Sequence, residues 1–101
     1  LSHLPQLTAS ALMAVVGEAV GVDGLALSGR GLVDTTRLAS SPADIWRDIA
    51  WTNAADIRQA LTALIGRLSL LRDELEDGAA IDETFDEAAR WREALMKDRT
   101  H

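Results

Sequence analysis

Apolar residues recur every three or four positions along most of the chain, which is the spacing of helices that turn one face toward a core. The first periodic segment runs from Leu4 to Val20, has Pro5 in its first turn and is ended by Gly21 and Gly24. Residues 21–31 contain four glycines and predict a flexible connection. Because no segment alternates between apolar and polar residues, the pattern predicts an all-α fold.

Start signals for helices follow this connection. A short helix or turn is expected over Asp34 to Ala39. Ser41 then provides a cap residue and Pro42 a first helical position, so the next helix should begin there and run to about Trp51.

The longest predicted helix begins at a cap formed by Thr52 or Asn53 and is ended by Gly78. Because its apolar residues repeat near every 3.5 positions, they suit a long seam between two helices, and we expect a homodimer that buries them. We call these residues the leucine stripe: Ile57, Ala60, Leu61, Leu64, Ile65, Leu68, Leu71 and Leu75. A last helix is expected from about Asp82 to Lys97, which makes a bundle of about five helices.

Composition limits the class of protein. With 101 residues, of which 48% are hydrophobic, the chain suits a single domain with one modest core. The net charge of −6 leaves no basic stripe for a phosphate backbone, so we expect no nucleic-acid partner. The absence of cysteine excludes disulfides and fits a cytoplasmic protein. The longest apolar run, Ala9 to Val16, is too short for a membrane span, so a soluble protein is expected.

Candidate chemistry is concentrated in the connection after the first helix. On one helical turn, Asp34 and Arg37 would share a face and pair, either as an ordinary surface ion pair or as a guanidinium held ready for a substrate carboxylate. His3 and Ser2 precede a helix N-terminus, where they can cap the helix or bind an anion. Trp46 can be a core or interface anchor. No histidine has a second ligand at metal-binding spacing, so no metal is expected.

The stretch Gly29-Arg30-Gly31 lacks the preceding strand and the third glycine of a dinucleotide-binding loop. Any nicotinamide cofactor is therefore expected mostly on another domain.

Three segments together resemble a known family. Ser2-His3-Leu4-Pro5 opens an apolar helix, Asp34-Thr35-Thr36-Arg37 follows, and Trp46-Arg47-Asp48 begins nine residues after Arg37. In this order and spacing they closely resemble the C-terminal domain of prephenate dehydrogenases. The resemblance implies an all-helical dimerisation domain over residues 1–101, similar to the C-terminal domain of 6-phosphogluconate dehydrogenase. It also implies that this domain follows a Rossmann-type domain absent from the chain, and since Leu1 is not an initiator methionine, we expect a piece of a longer protein.

The activity implied by the resemblance is NAD(P)-dependent oxidative decarboxylation of prephenate to 4-hydroxyphenylpyruvate, a step of tyrosine biosynthesis. The general-base histidine would belong to the absent domain, as would most contacts to NAD or NADP. No catalytic residue is therefore assigned in this chain, and the isolated fragment should be inactive.

The resemblance assigns substrate binding to five residues: Arg37, Ser2, His3, Asp34 and Trp46. Arg37 would bind a prephenate carboxylate, while Ser2 and His3 would line the pocket near the cofactor. Asp34 would help to order the pocket, and Trp46 would close it near the subunit interface. One position departs from the family, because Gln6 stands where members commonly carry a second histidine, and a neutral amide cannot form a charged pair with Asp34.

Two other functions remain open at this point. The same fold with a different polar partner in the pocket would prefer arogenate, as an arogenate or cyclohexadienyl dehydrogenase. A non-enzymatic helical dimerisation module would instead use Asp34, Arg37 and Trp46 for packing only.

Overall fold

The computed structural model describes residues 3–98, and all regular structure within them is helical. Five α-helices follow one another along the chain: α1 (His3–Leu25), α2 (Arg30–Thr35), α3 (Ala43–Thr52), α4 (Ala54–Asp73) and α5 (Ala79–Asp98). A short 3-10 helix, Arg37–Ser40, links α2 to α3, and we call it the Arg37 turn. The all-α prediction with about five helices is therefore confirmed.

The chain divides into two compact units, Leu1–Leu61 and Thr62–His101. In the first unit, α1 packs against the Arg37 turn. The buried apolar side chains within residues 3–98 are few and small for a chain so rich in leucine and valine: Ala9 and Ile57 in the first unit and Ala80 in the second. Most of the large apolar side chains of each unit are therefore still open to solvent.

Helix α1 begins close to where the periodicity predicts, with Pro5 in its first turn. Its end differs, because the helix continues to Leu25 across a kink at Gly21. The backbone of Gly21 has φ 68° and ψ −179°, a conformation that glycine adopts without a Cβ penalty. Gly21 thus bends the helix instead of ending it, and the flexible connection predicted over residues 21–31 is wrong at both of its ends.

Helix α1 also has features of a membrane-spanning helix. Within residues 3–98, α1 is the one helix that is long and apolar enough to cross a membrane, judged by length and composition alone. The longest apolar run inside this helix, Ala9 to Val16, contains Ser10 and is itself shorter than a membrane span. Core helices of soluble proteins meet the same criterion, so this finding is weak evidence for a membrane span.

Two predicted caps act differently in the structure. Pro42 stands at the N-cap of α3, and the Ser41 hydroxyl donates to the Leu38 carbonyl at 3.1 Å and to Gln6 Oε1 at 3.2 Å. Asn53 Nδ2 donates to the Ile49 carbonyl at 2.9 Å, so it closes α3. Both side chains bond backward along the chain, and α3 has no side-chain cap at its N-terminus.

The second unit contains the C-terminal part of α4 and the whole of α5. One arginine of α4 binds two side chains of α5. Arg67 Nη1 donates to Thr84 Oγ1 at 3.2 Å, and Nη2 pairs with Glu87 Oε2 at 3.1 Å. Helix α5 starts at Ala79, earlier than predicted, directly after Gly78 with φ 83°. Helix α4 ends at Asp73, so Leu75 of the leucine stripe lies beyond it.

Candidate functional site

The Arg37 turn is fixed at both of its ends. Before it, Thr36 is buried, and its hydroxyl donates to the Leu32 carbonyl of α2 at 2.6 Å. Within it, the Ala39 amide donates to the Thr36 carbonyl at 2.9 Å. After it, the Ser41 amide donates to the Leu38 carbonyl at 3.4 Å. The residue that follows Thr36 is Arg37, so the exposed arginine comes directly after a buried residue in the chain.

Gln6 ties this turn to α1. The side chain of Gln6 is 5% exposed, and its Nε2 donates to the Leu38 carbonyl at 2.5 Å. Its Oε1 accepts the hydrogen bond from the Ser41 hydroxyl, and Nε2 also lies 3.4 Å from Ser10 Oγ. Both ends of one buried amide are thus used in contacts that span more than thirty residues of sequence.

A cavity of about 500 Å³ lies beside this amide in the first unit. Its size falls within the range of small-molecule sites, and its wall is mostly apolar with a few polar groups, which is the usual makeup of such sites. Arg47 contributes the charged side chain of the wall. The lining residues are Gln6, Leu7, Ser10, Ala39, Ser41, Ala43, Trp46, Arg47 and Ala50.

Two of the predicted site residues are in contact with each other, and one of them lines this cavity. The ring centroids of His3 and Trp46 lie 5.9 Å apart at an interplanar angle of 82°. This edge-to-face arrangement is favourable for aromatic rings and orients the Trp46 indole, which lines the cavity. His3 and Trp46 come from α1 and α3, so the contact joins the start of the chain to the segment after the Arg37 turn.

Asp34 and Arg37 are not brought together. Both side chains are exposed, and no ion pair joins them within residues 3–98. The reason is local: α2 ends at Thr35, and the backbone of Thr36 leaves helical geometry at φ −102° and ψ 16°. A pair three residues apart needs one continuous helix through both residues, and here the helix is interrupted between them. The predicted ion pair is therefore wrong.

Arg37 also lies outside the cavity lining, and Ser2 lies outside the described residues. Arg47 is the charged residue of the cavity wall, and sequence reasoning did not assign it to the site although it stands in the Trp46-Arg47-Asp48 segment. Its spacing on α3 could have revealed it, because Ala43, Arg47 and Ala50 recur at helical intervals on the face of Trp46.

The family model for the dimerization domain of prephenate dehydrogenase matches residues 1–91. The chain belongs to this family. The resemblance found from the three short segments is confirmed, and the match takes in every residue of the cavity wall. No solved structure matches the chain.

As a prephenate dehydrogenase dimerization domain, the chain is a part of an oxidoreductase that forms a homodimer. Residues 3–98 of the domain contain no cluster of three or more metal-ligating side chains. They also contain no strand, and the stretch Gly29-Arg30-Gly31 leads into α2, a helix of six residues. A dinucleotide-binding turn joins a strand to a helix N-terminus, so the described part of this domain does not fit NAD or NADP by itself.

Proposed function

We propose that this domain supplies the dimer contact and one wall of the prephenate site in an NAD(P)-dependent prephenate dehydrogenase. The reaction is the oxidative decarboxylation of prephenate to 4-hydroxyphenylpyruvate, with the nicotinamide and the general base held by another domain of the same enzyme. One observation carries the substrate-binding part. Arg37 is exposed, directly follows the buried Thr36 in the chain and has no acidic partner within residues 3–98.

Electrostatics favours an arginine in this role. Prephenate carries two carboxylates, and a chain with a net charge of −6 repels such an anion unless positive charge is concentrated locally. An arginine fork donates two parallel hydrogen bonds to a carboxylate, which gives both attraction and orientation. We assign Arg37 to one carboxylate of prephenate. Arg47 on the cavity wall, which also has no ion pair in the described part of the chain, supports the second.

The apolar part of the site suits a ring. Trp46 offers its indole to the cavity, and His3 braces that indole edge-on. We therefore place the prephenate ring against Trp46, with His3 behind it. Asp34 and Ser2 complete the proposal: Asp34, near the end of α2, helps to order the pocket, and Ser2, which precedes His3 in the sequence, contributes to its lining.

The dimer contact is assigned to the leucine stripe. In the second unit, Ile65 is 60% and Leu68 is 54% exposed, although both belong to a row of apolar residues with helical spacing. A single copy gains little from these exposed side chains in water, whereas a second copy placed along them removes apolar surface from solvent. In a twofold-symmetric contact, each residue of the row is buried twice.

Arg37→Ala in the intact enzyme tests the substrate assignment. Loss of a charge-assisted hydrogen bond typically costs about 1.5–3 kcal/mol, so the Michaelis constant for prephenate should rise by roughly one to two orders of magnitude. The Michaelis constant for NAD(P) should remain near that of the unaltered enzyme, because the nicotinamide is bound elsewhere. Initial rates at varied prephenate and fixed cofactor measure both effects.

Arg72→Ala is the matched control, since Arg72 is an exposed arginine of the second unit that pairs with its neighbour Asp73. It should leave both constants unchanged. An Arg37→Ala enzyme with an unaltered Michaelis constant for prephenate would refute the assigned role. Turnover of arogenate in preference to prephenate would move the enzyme to the arogenate class, and turnover of neither would leave a dimerisation module.

A further inference from the structure

We infer that Gln6 is a positioning residue, whose buried side-chain amide holds the Arg37 turn against α1 and thereby sets where the Arg37 guanidinium is presented. The inference rests on the proposed function for its substrate readout. Its structural half concerns only the hydrogen bonds between α1 and the turn.

The contacts of Gln6 are of a kind that a solvent-facing helix residue does not make. Its Nε2 donates to the Leu38 carbonyl at 2.5 Å, and Leu38 is the residue directly after Arg37. Its Oε1 accepts from the Ser41 hydroxyl at 3.2 Å, just beyond the end of the turn. The amide is therefore hydrogen-bonded to two residues on the C-terminal side of Arg37. On the N-terminal side, the buried Thr36 is hydrogen-bonded to α2.

Because Gln6 is buried, its hydrogen bonds restrict the position of the Arg37 turn. Gln6 is 5% exposed, so its amide has little access to water and depends on these protein partners for its hydrogen bonds. A 3-10 turn of four residues has little internal bonding of its own, so its position depends on what it is attached to.

Gln6→Met in the intact enzyme removes both hydrogen bonds and keeps a side chain of similar length without charge. We expect the Michaelis constant for prephenate to rise about tenfold, the equivalent of about 1.4 kcal/mol, while kcat and the constant for NAD(P) change little. Gln59→Met on α4 is the matched control, because Gln59 is an exposed glutamine of the same unit. It should alter neither constant.

A double-mutant cycle with Arg37→Ala separates positioning from general damage. If Gln6 acts through Arg37, then Gln6→Met adds no further change to the Michaelis constant once Arg37 is already alanine. Independent, multiplying effects of the two substitutions would overturn the inference. Ser41→Ala offers a milder variant that leaves Gln6 in place, and it should raise the same constant by a smaller factor.

Amide hydrogen exchange tests the structural half without reference to any substrate. A peptide covering residues 37–41 should exchange faster in Gln6→Met than in the unaltered enzyme, and Gln59→Met should leave it unchanged. Equal exchange in all three proteins would overturn the inference even if prephenate is turned over. If the unaltered enzyme does not oxidise prephenate, the proposed function fails, and the exchange result alone decides whether Gln6 holds the turn.

Discussion

The leucine stripe allows a quantitative test of the dimer contact through a single side chain, Leu68. Burying a whole leucine side chain contributes about 1.5–3 kcal/mol. Because Leu68 is 54% exposed in the single chain, about half of that, roughly 0.8–1.6 kcal/mol, remains to be gained when a second copy covers it. A twofold contact repeats the gain, so Leu68→Ala should weaken the dimer by roughly 1.6–3.2 kcal/mol. At about 1.4 kcal/mol per factor of ten, the dissociation constant should rise roughly 15- to 200-fold.

Sedimentation over a dilution series measures this constant for the unaltered protein and the variant. The matched control is Leu70→Ala on the same helix, because two residues along an α-helix turn the side chain by about 200°, onto the opposite face. Leu70 is 37% exposed, so the control removes a comparable apolar side chain from outside the stripe. It should leave the dissociation constant within a few-fold of its original value.

The reasoning would be refuted by the reverse pattern. If Leu70→Ala weakens the dimer and Leu68→Ala does not, the second copy covers the other face of α4. If neither substitution changes the dissociation constant, α4 takes no part in the dimer contact, and the exposed apolar residues of α1 or α5 become the alternative.

Three further predictions concern the cavity wall and two glycines. Arg47→Ala should raise the Michaelis constant for prephenate about tenfold and Arg47→Lys by less, measured from initial rates; equal constants for all three enzymes would remove Arg47 from the site. Gly78→Ala should lower the free energy of unfolding by about 1–2 kcal/mol. The backbone φ there is 83°, which strains any residue with a Cβ, and no neighbouring atom lies close enough to add a steric clash. Gly66→Ala, at an uncrowded helical position, should raise it by about 1 kcal/mol in the same denaturant titration, and a loss of stability there would contradict the account.

Much of the fold could be predicted from the sequence, because helical periodicity is a local property. The apolar spacing located α1, α3, α4 and α5 to within a few residues of their observed starts. The errors occur where one residue type is compatible with two different local structures. Gly21 was interpreted as a helix end, yet glycine also permits a bend within a helix, and only the residues beyond it decide between the two.

The candidate site was less accessible to sequence reasoning, because its contacts join distant parts of the chain. Ser41 has the sequence context of a cap, but its hydroxyl bonds to Gln6 on α1. That choice depends on α1 packing against the Arg37 turn, which no local pattern encodes. The pairing of Asp34 with Arg37 failed for the complementary reason: the spacing was correct, but the helix that would have made them neighbours stops between them.

The very small set of buried apolar side chains has a consequence for how this domain comes to be folded. With only Ala9, Ile57 and Ala80 buried within residues 3–98, a single copy has little hydrophobic free energy to offset the entropy of ordering its chain. Folding and association should therefore form one coupled, bimolecular transition in which the melting temperature rises with protein concentration. A newly made copy of the domain would then acquire its full stability only on meeting its twin, so the folded fraction should rise with the amount of the domain present.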